Sequence, residues 1–103
     1  MLTNPAGMTL YYLTSDSATA PKCAAACLTH WPALLSAGGQ LALPAGVSGT
    51  LTAVQNANGN QVAYNGHLLY TFANDKAAGD TKGEGINAFG GTWHVATPGL
   101  TTM

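Results

Sequence analysis

Two cysteines and a histidine form the densest group of reactive residues in the sequence. Cys23, Cys27 and His30 lie within the segment KCAAACLTH. On a helix these three positions share one face, because each residue turns the chain by about 100°. Two thiolates and an imidazole in that arrangement would suit Cu(I) or Zn(II). The same spacing brings two cysteines within reach of a disulfide, provided that the first helical turn distorts.

Two further histidines and three acids are weaker candidates for metal binding. His67 and His94 sit on predicted strands beside apolar residues, where a histidine is usually a packed or surface residue. Asp75, Asp80 and Glu84 lie in a glycine-rich loop and could supply oxygen ligands to Ca²⁺, but the EF-hand spacing is absent. For Asp75 and Asp80 the sequence favours another role, in which they accept backbone N–H bonds that hold the loop closed.

Motifs for catalysis or for a bound cofactor are absent from the sequence. There is no Gly-x-Ser-x-Gly nucleophile motif, no phosphate-binding glycine loop before a helix, and no recognised pair of carboxylates. A c-type haem would need a histidine directly after the second cysteine, where Leu28 stands. We therefore predict a protein that is not an enzyme and that uses no cofactor.

Charge is scarce in this chain. Only 7% of the 103 residues are charged, the formal net charge is −1, and arginine is absent, whereas about a quarter of a typical domain is charged. Nothing in this composition supports binding to nucleic acid or to an anionic membrane surface. One interpretation is that the low charge reflects the medium of an exported domain. The other is that a weakly charged surface serves self-association or packing against an envelope protein.

Short strands and two tight turns are predicted to position these residues. Apolar, β-branched and aromatic runs predict strands at residues 7–14, 50–55, 61–64, 67–73 and 92–97. The Asn65-Gly66 pair between two apolar runs predicts a type I′ hairpin, and Asn58-Gly59 predicts a second turn. No segment approaches the ~20 consecutive apolar residues of a membrane-spanning helix.

One short helix is predicted between the first two strands. Pro21 suits the first helical position, alanines continue the helix over residues 22–28, and Pro32 should end it at or before Trp31. Residues 40–49, rich in glycine and with a proline, predict an irregular connection. Residues 74–91 contain five glycines without periodicity and predict a long loop.

An internal repeat relates the two ends of the sequence. A set of five residues recurs at one constant offset: Gly7, Leu10, Tyr11, Leu13 and Asp16 return as Gly66, Leu69, Tyr70, Phe72 and Asp75. We predict a single domain, residues 1–103, with related halves at about 7–37 and 66–98. The predicted class is α+β, with one small antiparallel sheet and one short helix that carries the Cys-x₃-Cys motif. The paired leucines and tyrosines should be buried in equivalent places about an approximate two-fold axis.

Residues 7–98 closely resemble a bacterial family called the secreted repeat of unknown function, whose members are mostly envelope lipoproteins. The resemblance is carried by Gly7-Met8-Thr9-Leu10-Tyr11, Cys-x₃-Cys with Trp31-Pro32, Tyr64-Asn65-Gly66 with Leu69-Tyr70, Asp75-Lys76, Gly79-Asp80-Thr81, Gly83-x-Gly85 and Trp93. It implies an exported domain, located outside the cell, in the periplasm or in the cell envelope, without an established activity. An oxidising location favours a disulfide between Cys23 and Cys27. A lipobox cysteine, which would indicate a lipid anchor, is not visible.

Two hypotheses of function follow from the sequence. The first is a non-enzymatic exported or cell-envelope domain that acts in binding or assembly. The alternative is a redox or metal-handling domain for copper or zinc that uses Cys23, Cys27 and His30, with His67 or His94 as a further ligand.

Overall fold

The computed structural model describes residues 3, 7–16, 21–23, 26–35, 49, 51–56, 58–88 and 90–97. These residues form six short strands and one helix. In chain order they are β1 (Tyr11–Leu13), α1 (Ala26–His30), β2 (Leu51–Asn56), β3 (Gly59–Tyr64), β4 (His67–Leu68), β5 (Asn87–Ala88) and β6 (Gly91–Val95). The irregular connection predicted for residues 40–49 lies outside the described residues except for Gly49.

The strands form two antiparallel sheets rather than the one sheet that the repeat predicts. Their orders are β1-β6-β5 and β2-β3-β4. The sheets meet where Tyr11 and Tyr70 exchange backbone hydrogen bonds of 2.8 and 2.9 Å. This pairing is an isolated bridge and does not join the two sheets into one. On the opposite edges of the two segments, the Leu10 carbonyl accepts the N–H of Ala96, and the Leu69 carbonyl accepts the N–H of Leu34.

The helix begins later than predicted, so the Cys-x₃-Cys motif is not carried on it. Cys23 precedes α1, and only Cys27 lies within it. The N–H of Lys22 donates to the Asp16 carboxylate at 2.6 Å, and Cys23 is buried in the core. Lys22 and Cys23 are thus held by contacts with other parts of the fold. The helix ends at His30, in agreement with the prediction that Pro32 ends it at or before Trp31.

Turns connect paired strands at both predicted places, although Gly59 begins β3 opposite Asn56 and so lies outside the turn predicted at Asn58-Gly59. β2 pairs with β3 across the turn that contains Asn58, and β3 pairs with β4 across Asn65-Gly66. Asn65 and Gly66 have φ angles of 51° and 86°, as a type I′ turn requires at both central positions. The strand predicted to extend to residue 73 ends at Leu68. Beyond it, the N–H of Leu69 still donates to Val62 in β3, and the N–H of Thr71 donates to the carbonyl of Pro32 in the segment after α1.

Two clusters of buried side chains form the core. The first is largely aromatic and contains Tyr11, Leu13, Cys23, Cys27, Trp31, Ala63, Leu68, Tyr70, Phe72 and Trp93. The second contains Leu10, Val62, Tyr64, Leu69 and Ala96. The repeat-related tyrosines thus share one cluster and the repeat-related leucines share the other. All four are buried, as predicted, but β1 and β4, the strands next to them, belong to different sheets, so the prediction that both copies share one sheet is wrong.

Candidate functional site

The repeat-related tyrosines and aspartates make two reciprocal hydrogen bonds. The hydroxyl of Tyr11 donates to Asp75 Oδ2 at 2.6 Å, and the hydroxyl of Tyr70 donates to Asp16 Oδ2 at 2.7 Å. Each half of the sequence therefore supplies a tyrosine to the aspartate of the other half. An exchange of this kind is what two copies related by a two-fold axis make.

The second oxygen of each aspartate accepts a backbone N–H. Asp16 Oδ1 accepts from Lys22, and Asp75 Oδ1 accepts from Lys82. Both aspartates are buried, and a buried carboxylate without hydrogen bonds would be costly. These bonds fix the start of the two long connections, one toward Cys23 and the other toward Gly83.

Burial sets the protonation of this network. It raises the pKa of the Tyr70 hydroxyl, and the bond to Asp16 raises it further. Burial likewise raises the pKa of Tyr11, with Asp75 adding to the effect. The pKa of Asp16 is raised by burial, against the hydrogen bonds from Lys22 and Tyr70 that lower it. Both tyrosines therefore remain protonated and act as donors over the physiological pH range.

Two stacked tryptophans lie between the tyrosines. The rings of Trp31 and Trp93 are 3.8 Å apart at their centroids and nearly parallel. Tyr11 packs edge-on against Trp31, and Tyr70 packs edge-on against Trp93. Phe72 stacks on the other side of Trp31 at 4.0 Å. The aromatic groups are thus packed against each other, where they stabilise the fold by burial and by ring contacts.

The predicted disulfide between Cys23 and Cys27 is present. Both cysteines are buried in the aromatic cluster with Trp31, whereas His30 is exposed at the end of α1. Sulfur atoms in a disulfide are not thiolates and cannot act as the predicted soft-metal ligands. The oxidised protein therefore lacks the Cys-Cys-His ligand set of the metal-handling alternative.

The acids of the long loop accept backbone N–H groups. Asp80 Oδ2 accepts from Lys76 at 2.9 Å and from Ala77 at 3.1 Å, and these bonds lower the pKa of Asp80. Asp75 bonds to the N–H of Lys82, as described above. Both acids thus accept backbone N–H groups of the loop, and their role in holding the loop closed stays a prediction.

A cluster of polar and aromatic side chains lies on the surface beside β6. His94 Nδ1 is 2.8 Å from Glu84 Oε2, and Glu84 Oε1 accepts the N–H of Val95 at 2.9 Å. The bond from Val95 is the main cause that lowers the pKa of Glu84. Tyr12 contacts both His67 and His94, with ring centroids 4.9 and 5.8 Å away. The structure therefore brings these two histidines to one side chain, that of Tyr12.

The described residues form neither a metal site nor a membrane-spanning helix. Among them, no three histidine, cysteine or acidic side chains are placed so that they could hold a metal ion. In the same part of the chain, the helix lacks the length and the apolar character needed to cross a bilayer.

Sequence reasoning missed the Tyr–Asp bonds and the Glu84–His94 pair. A signal for the first was present, because tyrosine and aspartate recur together at one offset, so that any symmetric contact between them must occur twice. The Glu84–His94 pair has no comparable signal in the sequence. Glu84 lies in the loop predicted to lack regular structure, and its contact with His94 depends on the pairing of β5 with β6.

Comparison with known proteins identifies one family. A family model described as a secreted repeat of unknown function matches residues 1–35 and 52–97, which is most of the chain. The two matched regions leave out residues 36–51. The chain has no significant match among curated proteins or among solved structures.

Proposed function

Because this chain belongs to the family of secreted repeats of unknown function, we propose that it is an exported, non-enzymatic domain that acts in binding or assembly at the cell envelope. Export is what the family description itself states. The closed disulfide supports an oxidising location, since disulfides persist in exported proteins and are rare in reducing compartments.

The distribution of charge is the observation that carries a role in binding or assembly. The seven charged residues lie at positions 16, 22, 75, 76, 80, 82 and 84, all between strands. The described strands therefore contain no lysine, arginine, aspartate or glutamate. Charged side chains are what usually keep sheets of different molecules apart, so uncharged strands favour contact with another protein surface.

The reactive side chains support a non-enzymatic role because they form bonds that hold the fold together. Cys23 and Cys27 are joined to each other, and Asp16 and Asp75 each bond to a tyrosine hydroxyl and to a backbone N–H. A nucleophile or general base needs a free thiolate, or a carboxylate within reach of a substrate. In the oxidised, folded protein these groups contribute to stability.

Export and cross-linking of the protein test this proposal. The chain is expressed behind a bacterial export signal, its thiols are titrated, and intact cells are treated with formaldehyde. We expect an exported protein without free thiols that is recovered in discrete cross-linked complexes, with itself or with envelope proteins. A secreted protein that forms no complex in cells and none after purification would contradict a role in binding or assembly.

A further inference from the structure

β2 forms an edge of its sheet. In the order β2-β3-β4 it pairs with β3 on one side only, and no strand of the described chain pairs with its other side. The register places Asn56 opposite Gly59 across a two-residue turn. The two residues that close such a turn exchange both of their N–H···O=C bonds. Along an antiparallel pair of strands, hydrogen-bonded residue pairs then alternate with pairs that are not hydrogen-bonded. The backbone N–H and C=O groups of Leu51, Ala53 and Gln55 therefore point away from β3.

The edge lacks the features that protect edge strands from pairing. β2 has the sequence LTAVQN, without a charged residue or a proline, and spans six residues. Thr52, Ala53 and Gln55 are exposed. Natural edge strands are usually short, charged or interrupted by proline, because an open row of backbone donors and acceptors is a template for another strand. Within the described part of the chain, β2 is therefore open to strand addition.

We propose that β2 pairs antiparallel with β2 of a second copy of this chain, about a two-fold axis at Ala53. The inference rests on the role in assembly proposed above and names the surface and the partner. A two-fold axis perpendicular to the sheet keeps each face of the sheet continuous, so residues of the same face must lie opposite each other. Ala53 then lies opposite Ala53 of the partner, and Leu51 lies opposite Gln55. All outward backbone groups of these residues gain a partner, and the two sheets join into one of six strands.

Charge and side-chain size favour a second copy as the occupant. The pairing places a small methyl group against its own copy at the axis, and no ionic side chain of one strand faces the other. With a net charge of −1 per chain, two copies approach with little repulsion. β2 also offers no charged side chain by which a basic or acidic peptide would be selected.

The expected dimer is weak. The surface area buried by pairing one six-residue strand is small compared with the ~1,200 Å² that is buried at the lower end of standard protein interfaces. We therefore expect reversible association that is detected between micromolar and millimolar protein. It should be insensitive to salt, because the paired strands contain no charges for salt to screen.

Two substitutions at the proposed axis and one matched control test the pairing. Ala53→Pro removes an outward N–H and leaves the bonds between β2 and β3 in place, a position where edge strands tolerate proline. Ala53→Lys sets two like charges against each other across the axis. Thr81→Lys adds the same charge at an exposed loop residue away from β2. Sedimentation equilibrium gives the dissociation constant of each variant, and circular dichroism verifies that it is folded.

We expect each Ala53 variant to weaken association at least tenfold and Thr81→Lys to leave it unchanged. Hydrogen exchange of the wild type should show that the amides of Leu51, Ala53 and Gln55 become more protected as concentration rises. A folded Ala53→Lys protein that associates like the wild type would overturn the β2 pairing while leaving a role in assembly intact. Wild-type protein that stays monomeric at millimolar concentration would also overturn the pairing, and complexes with envelope proteins in the cross-linking experiment would then still support the proposed function.

Discussion

The hydroxyl groups of Tyr11 and Tyr70 connect the two halves of the sequence through buried carboxylates. Tyr11→Phe removes the donor to Asp75 and also the acceptor of the Gly83 N–H, which bonds to the Tyr11 hydroxyl at 3.2 Å. Tyr70→Phe removes the donor to Asp16. An unsatisfied buried polar group costs about 1–3 kcal/mol, so we expect each variant to lose about that much stability, Tyr11→Phe the more.

Urea denaturation of both variants measures these losses. Tyr12→Phe is the matched control, because Tyr12 is half-buried and packs through its ring, and it should change stability by less than about 0.5 kcal/mol. Equal stability of Tyr11→Phe and the wild type would show that the hydroxyl bond to Asp75 contributes nothing.

The carboxyl group of Asp16 predicts a specific dependence of stability on pH. Burial raises its pKa in the folded state, so its contribution favours folding at acidic pH and is lost as the pH rises through that raised pKa. Asp16→Asn removes this titration. It also removes one hydrogen-bond acceptor, and the loss of stability from the missing acceptor does not vary with pH. The stability of the variant relative to the wild type should therefore improve from pH 3 to pH 7. Urea denaturation at several pH values tests this, and a constant difference would contradict it.

At the scale of elements, local sequence predicts turns better than it predicts where a helix begins. Asn65-Gly66 requires two left-handed residues, a property of the chain itself, and the turn forms as predicted. Before α1, by contrast, Lys22 is held by Asp16, which accepts its N–H from six residues away. β5 has the composition of a loop and exists because β6 lies beside it. Such contacts between distant residues leave no local pattern to find.

Gly83 in the long loop is held against the aromatic cluster at a distance that excludes a side chain. A Cβ atom there would lie 2.5 Å from the indole of Trp31 and 3.0 Å from the ring of Tyr11. Overpacking of this kind costs about 1–3 kcal/mol, so Gly83→Ala should be clearly destabilising in thermal unfolding. Gly85→Ala is the control, since its Cβ would meet nothing within 4 Å and only its positive φ of 80° opposes the change. A smaller loss for Gly83→Ala than for Gly85→Ala would contradict this packing.

The disulfide is expected to stabilise the chain locally rather than globally. It links residues four apart, and the chain-entropy effect of so short a loop lies well below the ~3 kcal/mol of a 15-residue loop. Reduction should therefore lower the free energy of unfolding by less than that amount, while the near-UV circular dichroism of Trp31 and Trp93 changes. Urea denaturation with and without reductant measures the loss, and complete unfolding on reduction would show that the disulfide has a larger role.

At the scale of the whole molecule, the repeat predicts the contacts between the halves but not the arrangement of the sheets. Residues related by the constant offset do meet, at Tyr11 and Tyr70 and in the two Tyr–Asp bonds. The number of sheets depends on whether this pairing extends along the strands. Here the pairing is an isolated bridge at Tyr11 and Tyr70. Since the repeated motif does not show how far such a bridge extends, the motif alone could not predict two sheets.

Although its sequence has two related halves, the molecule is expected to unfold as one unit. β1 from the first half pairs with β6 from the second, and the stacked Trp31 and Trp93 come from different halves. Neither half can therefore keep its part of the aromatic cluster when the other unfolds. In urea, tryptophan fluorescence and far-UV circular dichroism should give coincident transitions, as two-state unfolding requires. Tyr70→Phe should shift both to lower urea by the same amount, and Thr81→Ala, in an exposed loop, should shift neither. Separate transitions for the two signals would contradict unfolding as one unit, because β2 and β3 contribute to the circular dichroism but contain no tryptophan.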